Sequence, residues 1–200
     1  AKPVEPTKPA ATVAPTVAPT KVPEAKVLKI GMLATKSGAV AYYGVAQERG
    51  FMIGLEYASG GKKDANGNFI IAGRPVQVIV KDDEGNADKA VALARELVEK
   101  EGVELIQGPT LSGPATSITN LAKEYKMVMM VDPAAAASIT GASFNPYVFR
   151  TSRTSYDDTL VIAKYLVDNV GKNFASLAID TAFGKSGAAA LKFSAEKYGG

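Results

Sequence analysis

Residues 76–108, VQVIVKDDEGNADKAVALARELVEKEGVELIQG, decide the fold class. Val76 to Val80 and Val103 to Gly108 are short apolar runs with β-branched residues. Between them Ala90, Leu93, Ala94, Leu97 and Val98 recur at i, i+3, i+4, i+7 and i+8, which is one face of an α-helix. Near-continuous apolar strands separated by a helix of about ten to fifteen residues predict parallel pairing, with helices covering both faces of the sheet.

The same alternation extends in both directions. Val27 to Leu33 is a β-rich run, and Ala41 to Ala58 is helical in period despite Gly44, Gly50 and Gly54. A polar, Gly-rich excursion at Lys62 to Gly67 leads to a hairpin arm at Phe69 to Ala72. Downstream, Ile118, Leu121, Ala122 and Tyr125 mark a helix before a strand at Met127 to Val131. The order β-α-β-α-β-α-β predicts a doubly wound α/β layer. An Ala-rich loop, Pro133 to Asn145, precedes a short strand at Tyr147 to Phe149 and a helix carrying Ala163, Leu166, Val167 and Val170. A strand at Phe174 to Ile179 and a helix from Gly184 to Tyr198 restart the pattern. The expected boundary lies near Arg150. Residues 27–150 then form one α/β lobe and residues 151–200 the beginning of a second, incomplete because one full strand is too few for a sheet.

Residues 1–26 read differently. They hold six of the eleven prolines among Ala, Thr, Val and Lys, and no aromatic residue. Repeated Ala-Pro-Thr units favour polyproline II geometry and bury too little apolar area to offset ordering entropy. The expectation is a spacer holding the lobes away from an N-terminal membrane anchor that is not in this sequence. Of the formal charge of +3, from 23 basic and 20 acidic residues, +2 falls in this spacer. The body is close to neutral and shows no basic face with interleaved aromatics, which argues against nucleic acid.

The 200 residues contain no Cys, His or Trp. Thiol nucleophiles, Ser-His-Asp triads and disulfides are excluded within them. No stretch reaches the roughly 18 apolar residues of a membrane helix. No phosphate-loop or dinucleotide fingerprint follows a strand, which disfavours a nucleotide-dependent enzyme. Asp82-Asp83-Glu84 has no second acidic cluster to complete an oxygen cage, so it reads as a solvated strand end rather than a metal site. No cofactor is expected.

In an open α/β sheet, ligands bind beyond the carboxyl ends of the strands, where helix N-termini present free N–H groups. Three loops at that edge are rich in small residues and hydroxyls: Lys36 to Gly44, Pro109 to Pro114 and Asp132 to Ser138. Ser112, before Gly113-Pro114, either caps a helix or offers its hydroxyl to a carboxylate. Tyr42 and Tyr43 either roof a ligand or anchor the loop, and adjacency is expected to send their rings in different directions.

Taken in order, Ile30-Gly31-Met32-Leu33, Ser37-Gly38, Tyr43-Gly44, Gly73-Arg74-Pro75-Val76, Asp82-Asp83-Glu84-Gly85-Asn86 and Ala90 to Val98 form a pattern. It continues with Gly108-Pro109, Ser112-Gly113, Pro133-Ala134, Asn145 to Thr151 and Phe183-Gly184. Over residues 27–200 this resembles the type I periplasmic solute-binding proteins of ABC importers, in the branched-chain amino acid (leucine/isoleucine/valine) receptor family. The proline-rich start is similar to lipoprotein spacers.

The resemblance implies two α/β lobes joined by a hinge, closing over an amino acid or related small carboxylate without catalysis. It implies delivery to a membrane permease by an exported, tethered monomer at the periplasmic or extracellular face of the membrane. It also implies a ligand site at Tyr43, Leu111, Ser112, Gly113, Ala134, Ala135, Ala136 and Phe183. Ser112 would bind the carboxylate with help from the Ala134 backbone, and Tyr43 would pack over the ligand. The acid that pairs with a ligand ammonium group would lie beyond Gly200. Aliphatic amino acid receptors of the family often carry Thr at the position of Ala136 and Tyr at that of Phe183. Both hydroxyls are absent here, with Ser138 near enough in sequence to compensate for the first, which makes an aromatic or less polar carboxylate an alternative. A ligand sensor regulating a partner would use the same lobe pair.

Overall fold

Ladder pairing joins six strands into one sheet. They are β1 (Leu28–Ala34), β2 (Phe69–Ile71), β3 (Arg74–Asp82), β4 (Leu105–Gln107), β5 (Val128–Val131) and β6 (Val148–Arg150). The computed structural model describes residues 25–200, so the expected spacer lies outside the described residues except for Ala25 and Lys26. Strand order is β2-β3-β1-β4-β5-β6. Only β2 runs antiparallel, folded back onto β3 through Ala72 and Gly73, whose φ values of 49° and 78° are the left-handed pair that a tight hairpin turn requires. The other ladders are parallel, with Ile30 opposite both Val78 and Leu105.

The alternation of β1 explains the two layers. Leu28 and Ile30 turn to one face, where they meet Phe51, Met52 and Leu55 of α1 (Ala41–Ser59), together with Phe69 and Val76. Leu33 turns to the other face and joins the larger core. That core is built from Ala90, Ala94 and Leu97 of α2 (Ala87–Glu99) and Ala115, Ile118, Leu121 and Ala122 of α3 (Ser112–Glu124). Gly31 lies under Leu97: a Cβ there would stand 3.0 Å from the leucine Cδ1. The predicted doubly wound layer is thus present.

α4 (Ser155–Asn169) and α5 (Ala182–Lys197) follow β6 and pack on each other, with Tyr156 edge-on to Phe193 at 5.4 Å and Thr159 Oγ1 2.9 Å from Ser194 Oγ. A capping box opens α4: the Asp157 N–H donates to Thr154 Oγ1, while the Thr154 N–H donates to Asp157 Oδ2. The predicted strand at Phe174 to Ile179 is corrected. No described residue pairs with it, and Leu177 and Ile179 are exposed. Alternating apolar residues supply the propensity for a strand, but a strand exists only where a neighbour takes its backbone hydrogen bonds.

Candidate ligand-binding site

Because β1, β3, β4, β5 and β6 are parallel, their carboxyl ends lie along one edge, and the loops that follow them are neighbours. A buried hydrogen-bond chain binds three of these loops together. Thr110 Oγ1 accepts from the Thr35 N–H at 2.8 Å and donates to Gln47 Oε1 at 2.5 Å, and Thr35 Oγ1 donates to Asp83 Oδ1 at 2.6 Å. α1 approaches closely at this point: a Cβ on Gly44 would lie 2.0 Å from the Thr35 carbonyl oxygen.

This chain corrects the reading of Asp82-Asp83-Glu84 as a solvated strand end. Asp83 is fully buried; its Oδ1 also accepts the Gly85 N–H, and its Oδ2 has no partner. Burial pushes its carboxyl above the usual range, opposed by the Thr35 and Gly85 hydrogen bonds. Asp82 accepts from the Lys36 and Glu84 N–H groups. Among the described residues, no group of acidic side chains is arranged to hold a metal ion.

Ser112 is 3% exposed. Of its two readings, the capping one is corrected: Leu111 is the N-cap, in extended conformation, and Ser112 is the first residue of α3. Its hydroxyl instead accepts the Ala136 N–H at 3.1 Å, from a loop 24 residues away. A hydroxyl that accepts in this way still has its proton to donate. One step further, the Ala137 N–H donates to Ser186 Oγ at 3.0 Å, which ties the same loop to α5. Ser186 was not legible as a site residue, because only the turn of α5 toward α3 brings it there.

The structure brings Leu111, Ser112, Gly113, Ala134, Ala135 and Ala136 to one spot. Leu111 also touches the β3 loop, its Cδ1 3.0 Å from where a Gly85 Cβ would stand. Phe183 lies in the first turn of α5, half-exposed, three residues before Ser186. Tyr43 lies in the first turn of α1 on the same sheet edge. Tyr42 and Tyr43 do not diverge as expected: their rings stack at 3.9 Å with a tilt of 32°, at 63% and 47% exposure, so neither anchors the loop to the core. Helix geometry explains this, since successive residues are about 100° apart rather than on opposite sides.

The candidate site is therefore a ledge whose centre, Ser112 and Ala134 to Ala136, is buried, with the exposed rings of Tyr43 and Phe183 outside it. Concavities of about 430 and 280 Å³ lie elsewhere. The first runs along α5 beside Phe174, and the second lies under α1 between Phe51 and Asp132. Asp132 is pushed above the ordinary carboxylate range by burial, with Arg153 opposing. Arg150 is lowered by burial, with Asp157 opposing.

A family model described as periplasmic binding protein matches residues 27–200. The chain is 31% identical over 159 residues to a Leu/Ile/Val-binding protein homolog of Brucella abortus, covering 78% of this chain and 37% of that protein. Among solved structures it is similar to an ABC-type branched-chain amino acid transporter of Rhodopseudomonas palustris, with 36% identity and a TM-score of 0.70. That match covers 86% of this chain and 44% of the other. It is also similar to an R. palustris ABC transporter solute-binding protein in complex with 4-hydroxybenzoate, with 30% identity, a TM-score of 0.73 and coverage of 88% and 45%. The chain spans less than half the length of each of these relatives. By the extent of these matches and the shared α/β fold, the chain belongs to the periplasmic binding protein family.

Proposed function

We propose that this protein is the extracytoplasmic receptor of an ABC importer, and that it binds a small carboxylate at the ledge formed by Ser112, the Ala134–Ala136 backbone and the N-terminus of α3. One observation carries the reading. The Ala136 N–H donates to the Ser112 hydroxyl, which leaves the hydroxyl proton available to an incoming anion. The N–H groups at the start of α3 favour the same charge.

In this reading residues 27–150 are one lobe and residues 151–200 begin the other. The ligand is held first on the sheet edge and then covered by hinge closure about the 151–154 crossover. Tyr43 and Phe183 supply the aromatic walls. The protein is a receptor rather than an enzyme, works as a monomer and is tethered by its N-terminal spacer. Its partners are the ligand and a membrane permease. Relatives named for leucine, isoleucine and valine binding, and a structural neighbour holding 4-hydroxybenzoate, support a carboxylate as the shared feature.

The test is a thermal-shift and calorimetric screen with L-leucine, L-isoleucine, L-valine and 4-hydroxybenzoate. A ligand present at about 100 times its Kd adds about 2.7 kcal/mol to stability. Stabilisation by one of these classes identifies the receptor and its ligand class. No response to any carboxylate by the intact protein overturns the reading.

A further inference from the structure

The four peptides that follow Asp132 are held from behind by the segment that leaves the sheet. The Pro133 carbonyl accepts from Arg153 Nη1 at 3.1 Å and the Ala134 carbonyl from Arg150 Nη1 at 2.6 Å. The Ala135 carbonyl accepts from both the Ser155 N–H at 2.9 Å and Ser155 Oγ at 3.1 Å. The Ala136 carbonyl accepts from Arg150 Nη2 at 2.7 Å. Four consecutive carbonyls are thus engaged by residues 150–155, and the Arg150 guanidinium spans two of them with a fork whose planar geometry no other side chain reproduces.

In a planar trans peptide the C=O and the following N–H point in opposite directions. Fixing each carbonyl toward residues 150–155 therefore turns the N–H groups of Ala134, Ala135, Ala136 and Ala137 away from them. Two of these N–H groups end on serine hydroxyls, Ala136 on Ser112 and Ala137 on Ser186. Among the described residues, the Ala134 and Ala135 N–H groups have no protein acceptor. The alanines have no polar side chains to hold the loop, so its peptide orientation depends on this latch.

We infer that Arg150 is a positioning residue: by holding the Ala134 and Ala136 carbonyls it sets the 134–135 and 136–137 peptide planes, so that the Ala135 N–H faces the bound carboxylate and the Ala137 N–H reaches Ser186, and it ties that loop to the crossover leading to α4. The inference rests on the carboxylate-receptor reading for what the N–H groups bind, but not for the latch itself. Arg150 does not touch the ligand. Because it sits at the last residue of β6, it makes the ligand loop and the crossover one mechanical unit, with Arg153 and Ser155 as its further attachments.

Two measurements on the intact protein test this, each with wild type, Arg150→Gln and Arg150→Lys. Hydrogen exchange reads the amides of Ala134 to Ala137 directly and needs no ligand. Calorimetry with 4-hydroxybenzoate and L-leucine reads affinity. Arg150→Gln is expected to speed exchange in Ala134 to Ala137 by about tenfold or more while the amides of β1 and β4 stay protected. It should also weaken carboxylate binding by about tenfold or more. Arg150→Lys, which keeps the charge but not the fork, should fall between, and it decides the matter if the Gln variant unfolds globally. Unchanged exchange in the loop overturns the latch. A loosened loop with unchanged affinity overturns the positioning role. A wild type that binds neither probe, with the loop still loosened by Arg150→Gln, sinks the receptor reading and leaves the latch standing.

Discussion

Ser112 Oγ accepts the backbone N–H of Ala136 at 3.1 Å, joining the first turn of α3 to the loop after β5. The hydroxyl is a structural acceptor, and in the proposed receptor its proton is the donor for the ligand. Ser112→Ala should therefore weaken carboxylate binding by about 1–3 kcal/mol. Isothermal titration checks it, and an unchanged affinity removes Ser112 from the site.

Thr110 occupies the centre of the buried chain, between the Thr35 N–H and Gln47 Oε1. Thr110→Val keeps the shape and strips both partners, at a cost of about 2 kcal/mol or more. Thr110→Ser keeps the hydroxyl and loses only a methyl group, about 1 kcal/mol. Urea unfolding of the pair separates the hydrogen bonds from the packing; equal losses in both variants contradict the network.

The Asp83 carboxyl is raised in the folded protein by burial. The folded state then binds its proton more tightly than the unfolded chain does. Its contribution is intact below the unfolded carboxylate value of about 4 and is lost as pH rises through the folded value. Asp83→Asn cannot titrate, so its stability relative to wild type should improve as pH rises from about 4 to 7. Denaturation midpoints of both proteins across that range check the sign, and a difference that does not change with pH refutes it.

The glycines of α1 make opposite predictions. A Cβ on Gly44 meets the Thr35 carbonyl oxygen at 2.0 Å, whereas Gly50 and Gly54 have open space around theirs. Gly44→Ala should cost at least the upper part of the usual 1–3 kcal/mol for overpacking, about 3 kcal/mol. Gly50→Ala and Gly54→Ala should each gain about 0.5–1 kcal/mol from helix propensity. Thermal melts of the three variants suffice, and a shared sign would refute the contrast.

Much of this was legible from residue order. The 3.6-residue period of Ala90 to Val98 and the apolar runs at 76–80 and 103–108 announced a β-α-β unit before any contact was known. The small, hydroxyl-bearing loops at one sheet edge pointed to the ledge, with Ser112 and the Ala134–Ala136 run at its centre. Local spacing carries such information because helix and strand periods are properties of adjacent residues. Phe174 to Ile179 marks the limit: its local pattern is that of a strand, and no described residue pairs with it.

The orientation of the site came from elsewhere in the chain. Nothing near Asp83 in sequence says that Thr35 will bury it, and nothing in Pro133 and the three alanines after it says that Arg150, Arg153 and Ser155 will claim their carbonyls. Those bonds form between residues 14 to 48 apart in sequence, chosen by which loops the parallel sheet sets side by side. Periodicity therefore declared the layers, the edge and the residue types of this protein. Only the folded sheet decided which way each peptide N–H faces, because a peptide plane is turned by the partner that captures its carbonyl.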